Sequence, residues 1–154
     1  MTVRPQLAAL TGQWKGSYRL HRSSQLSEKT HDSVSNAKIE LRVKEQFLAI
    51  EYAWEYEGKR QEGVLILGCD EGSDAVQAIW TDSWHMSHKF IVCDGVIDDR
   101  GRVEVHGYYS VSDKQDWGWQ TEIVAEPQRF QVSMFNVSPE GDKDMAVESI
   151  YTRI

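Results

Sequence analysis

Two aromatic side chains and a carboxylate share one face of a predicted strand. Trp80, Asp82 and Trp84 are spaced two residues apart, so their side chains point the same way. An aspartate on an inward face needs a partner, because burial of an unpaired charge is costly. Asp82 is therefore either the polar anchor of a ligand pocket or a residue that caps backbone amides near a strand end.

Further Tyr and Trp residues on candidate inward faces extend this set, and two interpretations stay open. An aromatic-lined pocket would bind a flat apolar ligand. Plain core packing would fill the same space with the protein's own side chains. In the pocket interpretation, the ligand-binding residues are Tyr52, Trp54, Trp80, Asp82, Trp84, Tyr109 and Trp119.

Two histidines follow Asp82 in the stretch His85-Met86-Ser87-His88. A zinc site needs three or four ligands within reach, and no second His pair or Cys-x-x-Cys supports these three candidates. We therefore predict no metal site and expect solvated loop histidines. Asp82 with His85 could still act as a general base pair in an isomerase or hydrolase, which is the alternative hypothesis.

A third histidine, His106, alternates with apolar residues on the same face as Glu104. We expect it to face solvent, although a register slip by one residue would turn it inward as another candidate base. Other catalytic classes lack their motifs. No Gly-x-Ser-x-Gly turn is present, and no glycine-rich phosphate loop precedes a helix, so we predict no catalytic residue and no cofactor.

The charge of the chain excludes several partners. The 17 Lys and Arg residues against 24 Asp and Glu residues give a net charge of −7, and no basic cluster is present. Nucleic acid and an anionic membrane surface would both be repelled. No apolar stretch has the length of a signal peptide or a membrane span. We therefore expect a cytoplasmic protein in which Cys69 and Cys93 are reduced thiols.

Alternation of apolar and polar residues with a period of two dominates the chain and indicates half-buried strands. We count about ten such segments, separated by short polar turns. Only residues 4–10 could form a short helical turn, and residues 23–35 are predicted as a loop at the rim. Closure of the sheet would remove both of its edges. We therefore predict one all-β domain over residues 1–154, an antiparallel up-and-down barrel, with a two-sheet sandwich as the alternative.

The beginning of the chain, Leu10-Thr11-Gly12-Gln13-Trp14-Lys15-Gly16, resembles the Gly-x-Trp-x-Gly opening of calycin barrels, which include the lipocalins and fatty-acid-binding proteins. Later segments resemble, in matching order, those of an uncharacterised bacterial lipocalin-like family, a domain of unknown function. These segments are Gly68-Cys69-Asp70, Trp80-Thr81-Asp82-Ser83, Asp94-Gly95 and Tyr151-Thr152-Arg153. The resemblance spans most of the chain. It implies the barrel fold and no particular activity.

In calycins the opening Trp packs at the closed end of the barrel under an Arg from the last strand. The resemblance therefore implies a structural cap formed by Trp14 and Arg153. Nitrobindin-like haem barrels share a similar opening but hold haem through a His on a late strand. This chain has no His after Val111, which argues against haem.

The leading hypothesis is a non-catalytic barrel that binds a small apolar or aromatic molecule. The first alternative is the enzyme that uses Asp82 and His85. The second is a barrel filled by its own side chains that acts as a protein-interaction module. If Trp117 and Trp119 face outward, their apolar stripe would form the interface of a homodimer.

Overall fold

The period-two segments form ten strands in the computed structural model, which describes residues 3–23 and 28–154. One short helix precedes them. In chain order the elements are α1 (Pro5–Ala8), β1 (Gly12–Ser23), β2 (Glu28–Arg42), β3 (Phe47–Tyr56), β4 (Lys59–Cys69), β5 (Ala75–Asp82), β6 (Ile91–Ile97), β7 (Val103–Tyr109), β8 (Trp117–Glu126), β9 (Arg129–Val137) and β10 (Lys143–Arg153).

The ten strands form one closed barrel. Each strand pairs antiparallel with its neighbours in sequence, and β1 pairs with β10 from Trp14↔Arg153 to Leu20↔Val147. This last pairing joins the two edges that a meander would otherwise leave open. The predicted all-β, up-and-down barrel with a short helical turn near the N-terminus is thus confirmed, and the two-sheet sandwich is wrong.

The predicted loop over residues 23–35 is wrong for residues 28–35, which belong to β2. Its inward positions carry polar side chains such as His31 and Ser35, so the apolar alternation that marks a strand is missing. These side chains have partners instead. Ser35 Oγ donates to the carbonyl of Ala53 at 2.8 Å, and the His31 ring lies 5.1 Å from the Tyr56 ring. Residues 24–27 of the predicted loop lie outside the described residues.

One end of the barrel is closed by α1 and the segment that follows it. Trp14 is fully buried, and its Nε1 donates to the carbonyl of Leu10 at 2.8 Å. The Arg153 guanidinium lies over the indole, with Cζ 4.2 Å from the ring centroid. The same guanidinium donates to the carbonyls of Ala9 at 2.7 Å and Thr11 at 3.0 Å. Arg153 therefore ties the N-terminal segment to the barrel.

The opposite end is surrounded by the connections between β3 and β4, β5 and β6, β7 and β8, and β9 and β10. The connection from β5 to β6, residues 83–90, folds back over this open end. Its Met86 N–H donates to the carbonyl of Asp82 at 2.8 Å. Within residues 3–23 and 28–154, none of the helices combines the length and apolar character needed to cross a membrane.

Candidate functional site

The carboxylate of Asp82 lies at the end of β5 and is the centre of a buried hydrogen-bond network. The residue is 1% exposed. Its Oδ2 accepts from Tyr52 Oη at 2.7 Å and from Trp54 Nε1 at 3.1 Å. Its Oδ1 accepts from the backbone N–H groups of Trp84 at 2.9 Å and His85 at 3.3 Å. Asp82 thus caps backbone amides and also fixes two aromatic side chains.

This cap explains where β5 stops. The predicted strand continues to Trp84, and that extension is wrong because the Asp82 carboxylate holds the next two N–H groups in a turn. Trp84 is therefore half-buried at the rim and does not continue the inward face of β5.

A glycine allows the tyrosine to reach the carboxylate. Gly63 of β4 pairs with Tyr52 on one side and with Asp82 on the other. A Cβ at Gly63 would lie 2.2 Å from Tyr52 Cζ and 2.3 Å from its Oη. The phenol can therefore cross β4 only because position 63 has no side chain. The sequence analysis missed Gly63, although a glycine inside a strand pattern is a known sign of a close approach.

The network sets the protonation states of its members. Burial raises the pKa of Asp82, but contacts with His85 and hydrogen bonds from Tyr52 and the Trp84 N–H lower it by more, so its pKa lies below the ordinary value. Burial, reinforced by the nearby Tyr18 and Asp82, raises the pKa of Tyr52 well above its ordinary value. Asp82 is therefore an ionised acceptor and Tyr52 a protonated donor at neutral pH.

Around this network the aromatic rings pack directly against one another. Tyr18 stacks on Trp54 with 4.1 Å between ring centroids, and Trp80 stacks on Trp119 at 4.7 Å. Trp80 Nε1 also donates to Tyr52 Oη at 2.9 Å. We call the set the aromatic cluster: Tyr18, Tyr52, Trp54, Trp80, Trp84, His85 and Trp119.

His85 belongs to this cluster, so the expectation of a solvated loop histidine is wrong for it. Its side chain is 10% exposed, and Nδ1 lies 3.2 Å from Asp82 Oδ1. The turn capped by Asp82 folds the imidazole back over the barrel, which sequence spacing alone could not show. His88 is exposed as expected. His106 is exposed on the outer face, with Nε2 3.2 Å from Glu104 Oε1.

Five of the seven predicted ligand-binding residues lie together and fill the interior. They are Tyr52, Trp54, Trp80, Asp82 and Trp119, all buried. A cavity beside Tyr18, Tyr52 and Tyr151 has a volume of only about 10 Å³, which is room for about one water molecule. These residues therefore form a packed layer beneath the open end and do not themselves enclose a ligand-sized space.

Space for a ligand lies above that layer, at the open end. The mouth groove has a volume of about 780 Å³. Half-buried Tyr109 and Trp117 line it, and Tyr109 Oη donates to Asn136 Oδ1 at 2.6 Å. The lining residues are His21, Tyr109, Val111, Lys114, Gln115, Trp117, Asn136, Pro139, Glu140, Asp144 and Met145. Five of the eleven come from connections without periodicity, and of the eleven only Tyr109 was predicted as a ligand-binding residue.

A second groove of about 540 Å³ lies beside residues 83–90, and we call it the side groove. Trp84 and Tyr109, the other two predicted residues, lie here, and Tyr109 lines both grooves. The lining residues are Trp84, His85, Met86, Ser87, His88, Lys89, Phe90, Ile91, Tyr108, Tyr109 and Ser110.

The tryptophans proposed for an outer interface do not form one. Trp119 is 4% exposed and Trp117 is half-buried in the mouth groove, because both share the inward face of β8 with buried Thr121 and Ile123. The homodimer stays a prediction without an assigned interface.

Neither metal nor thiol chemistry is built into the described residues. Across these residues, no group of three or more His, Cys, Asp or Glu side chains could hold a metal ion. Cys69 and Cys93 are free and buried. Burial, with a smaller contribution from Asp94, raises the pKa of Cys93 to about 11, so this thiol is a poor nucleophile.

Comparison with protein families gives a match over nearly the whole chain. The model described as "Protein of unknown function (DUF1579)" matches residues 2–153. The chain belongs to this family. The resemblance to an uncharacterised family is therefore confirmed, and the family carries no assigned activity. No curated protein matches the chain.

Two solved structures show that the barrel is shared more widely. Rv2717c from M. tuberculosis matches with a TM-score of 0.70 and 11% identity, covering 99% of each chain. The S-type phycobiliprotein lyase CPES from Guillardia theta matches with a TM-score of 0.64 and 14% identity, covering 100% of this chain and 93% of the lyase. At these identities the likeness concerns the fold alone.

Proposed function

We propose that the protein binds a small apolar or aromatic molecule at the open end of its barrel without transforming it. The mouth groove carries this proposal. Its volume of about 780 Å³ lies within the range of ligand sites, about 300–1,000 Å³. The aromatic faces of Tyr109 and Trp117 and the polar groups of Asn136 and Asp144 converge on it. A few polar groups in an aromatic-lined depression are typical of small-molecule sites.

The aromatic cluster supports this site from below. Trp119 contacts the Tyr109 ring edge-on at a centroid distance of 6.4 Å. Trp119 in turn stacks on Trp80, which is hydrogen-bonded to Tyr52 and through it to Asp82. Burial raises the pKa of Tyr109, so its hydroxyl stays protonated and donates to Asn136. The predicted residues would thus act as a rigid support that orients the ligand-contacting layer.

The fold comparison is consistent with this proposal. A phycobiliprotein lyase has the same fold, so a bilin, the chromophore type of phycobiliproteins, belongs among the ligands to be tested. Native mass spectrometry of protein purified from its own source would reveal any retained ligand by the mass that leaves on denaturation.

The direct test uses N-phenyl-1-naphthylamine, a neutral flat probe whose fluorescence rises on binding. We expect Trp117→Ala to raise its Kd roughly tenfold, since loss of a central aromatic contact commonly costs about 1–2 kcal/mol or more. The matched control is Val96→Ala, because Val96 is an apolar residue that is 57% exposed and lines neither the mouth groove nor the side groove. A folded Trp117→Ala protein with an unchanged Kd, or a wild-type protein that does not bind, would overturn the proposal.

A second candidate function is favoured by one distance, the 3.2 Å between His85 Nδ1 and Asp82 Oδ1. This arrangement directs Nε2 away from the carboxylate, and His85 lines the side groove. Nε2 could then accept a proton from a substrate in an isomerase or hydrolase. His106 is not part of this arrangement, because it is exposed beside Glu104 on the outer face.

Long-range ¹H–¹⁵N NMR correlation tests this candidate. A general base at His85 requires a neutral imidazole at neutral pH, with the proton on Nδ1 and none on Nε2. An imidazolium at pH 7.5, or a proton on Nε2, would exclude His85 as the base.

A further inference from the structure

The side groove differs in charge from the rest of the molecule. Its eleven described lining residues include His85, His88 and Lys89 but no carboxylate, although the chain has a net charge of −7. The mouth groove, in contrast, is lined by both Glu140 and Asp144. Asp82 lies behind His85 but is 1% exposed and does not line the side groove. A surface with this lining attracts anions.

His88 and Lys89 are held on an ordered connection. The N–H of Lys89 donates to the carbonyl of Met86 at 3.1 Å, and the Thr81 hydroxyl donates to the carbonyl of Lys89 at 2.6 Å. Ser87, between these residues, has a φ of 57°, in the left-handed region that few side chains adopt. The backbone positions of His88 and Lys89 are therefore set before any ligand arrives.

Flat apolar surfaces lie next to His88 and Lys89 in the side groove. Phe90 is 62% exposed and Tyr108 is 71% exposed, and both line the side groove together with half-buried Trp84. Exposed apolar side chains that line one groove together, unlike single scattered ones, are typical of binding surfaces. A ligand that matches the side groove must therefore combine an aromatic body with a negative charge.

We propose that the side groove binds an aromatic carboxylate, with the ring against Phe90 and Tyr108 and the carboxylate beside His88 and Lys89. The inference rests on the proposed ligand-binding function and narrows its ligand class. Because Tyr109 lines both grooves, a longer molecule can place its carboxylate in the side groove and its apolar end in the mouth groove.

The test compares 2-naphthoate with 2-naphthamide by isothermal titration calorimetry. The two probes have nearly the same shape and differ in charge. We expect wild-type protein to bind the carboxylate roughly fivefold more tightly than the amide, as for a partly exposed charge pair. Lys89→Gln should abolish this preference. Lys59→Gln, which removes an exposed cation that lines neither groove, is the matched control and should retain it. Raising the salt concentration should weaken the preference in the wild type.

Equal affinity for the two probes overturns the inference, as does a preference that persists in Lys89→Gln or disappears in Lys59→Gln. These results leave the proposed function intact if N-phenyl-1-naphthylamine still binds and Trp117→Ala weakens that binding. Loss of N-phenyl-1-naphthylamine binding as well would count against the proposed function itself.

Discussion

Asp82 shows how a charged side chain is accommodated inside an apolar barrel. Each carboxylate oxygen accepts two hydrogen bonds: Oδ2 accepts both of its bonds from side chains, and Oδ1 accepts both of its bonds from backbone N–H groups. His85 adds a contact at 3.2 Å. Removing one member of such a network leaves the others without partners, which costs more than the bond itself. The residue is therefore expected to matter more for stability than an exposed aspartate.

We predict that Asp82→Asn lowers the free energy of unfolding by about 2–4 kcal/mol at pH 7, because it breaks a buried charge network. The pKa of Asp82 is lowered in the folded state from 3.8. The contribution of Asp82 to the free energy of unfolding is therefore complete above the pKa of the unfolded chain. It is lost as the pH falls through the lower pKa of the folded protein. The difference in unfolding free energy between wild type and Asp82→Asn should therefore become smaller on acidification. Urea denaturation at several pH values would measure it.

The control is Asp113→Asn, since Asp113 is exposed in the connection between β7 and β8. Equal stabilities of the Asp82 and Asp113 variants would contradict the role given to the network.

Sequence reasoning at this scale reached part of the site. The period-two spacing placed Asp82 on an inward face and raised both interpretations, anchor and cap. The alternative hypothesis paired Asp82 with His85, but the burial of the imidazole was not expected, because the path of residues 83–90 depends on which backbone amides the carboxylate caps. The mouth groove was missed for a similar reason, since residues such as Lys114 and Glu140 come together only through the barrel.

Among the elements, three neighbouring strands share one constraint. Tyr52 on β3 reaches Asp82 on β5 by crossing Gly63 on β4. The register of the three strands is thus coupled to the hydrogen bond at the end of β5. A slip of either ladder would move Gly63 out from under the phenol.

We predict that Gly63→Ala destabilises the protein by about 1–3 kcal/mol, because the new methyl group would overlap the Tyr52 ring and displace its hydroxyl from Asp82. Thermal unfolding followed by circular dichroism would measure this. Gly72→Ala is the control, since the nearest atom to its Cβ lies 3.8 Å away. Similar melting temperatures for Gly63→Ala and wild type would show that the phenol does not need this gap.

Most elements could be predicted because each strand has one face in the core and one toward solvent, which imposes the period of two. The exceptions have a common cause. In β2 the inward positions of His31 and Ser35 are polar, with a hydrogen bond from Ser35 to Ala53 and a ring contact between His31 and Tyr56. At the end of β5 the Asp82 carboxylate ends the strand by capping backbone amides. A search for alternating apolar residues detects neither a strand with polar inward positions nor a strand end set by a capping side chain.

At the scale of the whole molecule, closure depends on the contact between the first and last strands and on the segment that covers one end. Arg153 donates to the carbonyls of Ala9, Thr11 and Pro127 and lies over Trp14. Lysine at this position could not reproduce the planar fork. We predict that Arg153→Lys costs about 2 kcal/mol and lowers Tm by about 4–8 °C.

Differential scanning calorimetry would measure this change, with Arg60→Lys as the control because Arg60 is exposed and its ion pair with Glu62 lies at the surface, at 3.5 Å. A Tm for Arg153→Lys within a degree of the control would argue against a capping role.

The single domain over residues 1–154 stays a prediction, and the closed sheet supplies its physical reason. Because β10 pairs with β1, no part of the barrel can open without exposing the ladder at both edges. We expect one cooperative transition, with tryptophan fluorescence and far-UV circular dichroism giving the same midpoint. Two separate midpoints would show independent units. Sedimentation analysis of the same sample would test the predicted homodimer.

The packing around His85 has an optical consequence. Four of the six tryptophans have ring centroids within 4.7 to 6.1 Å of the imidazole. The indoles of Trp54 and Trp84 lie 6.1 Å apart and those of Trp80 and Trp119 lie 4.7 Å apart, so the emission of all four depends on the same small region. A displacement of residues 83–90 would withdraw the imidazole from Trp54, Trp80 and Trp119, which lie on the barrel strands, while Trp84 moves with it. The protein therefore carries an intrinsic, label-free reporter of events at its open end.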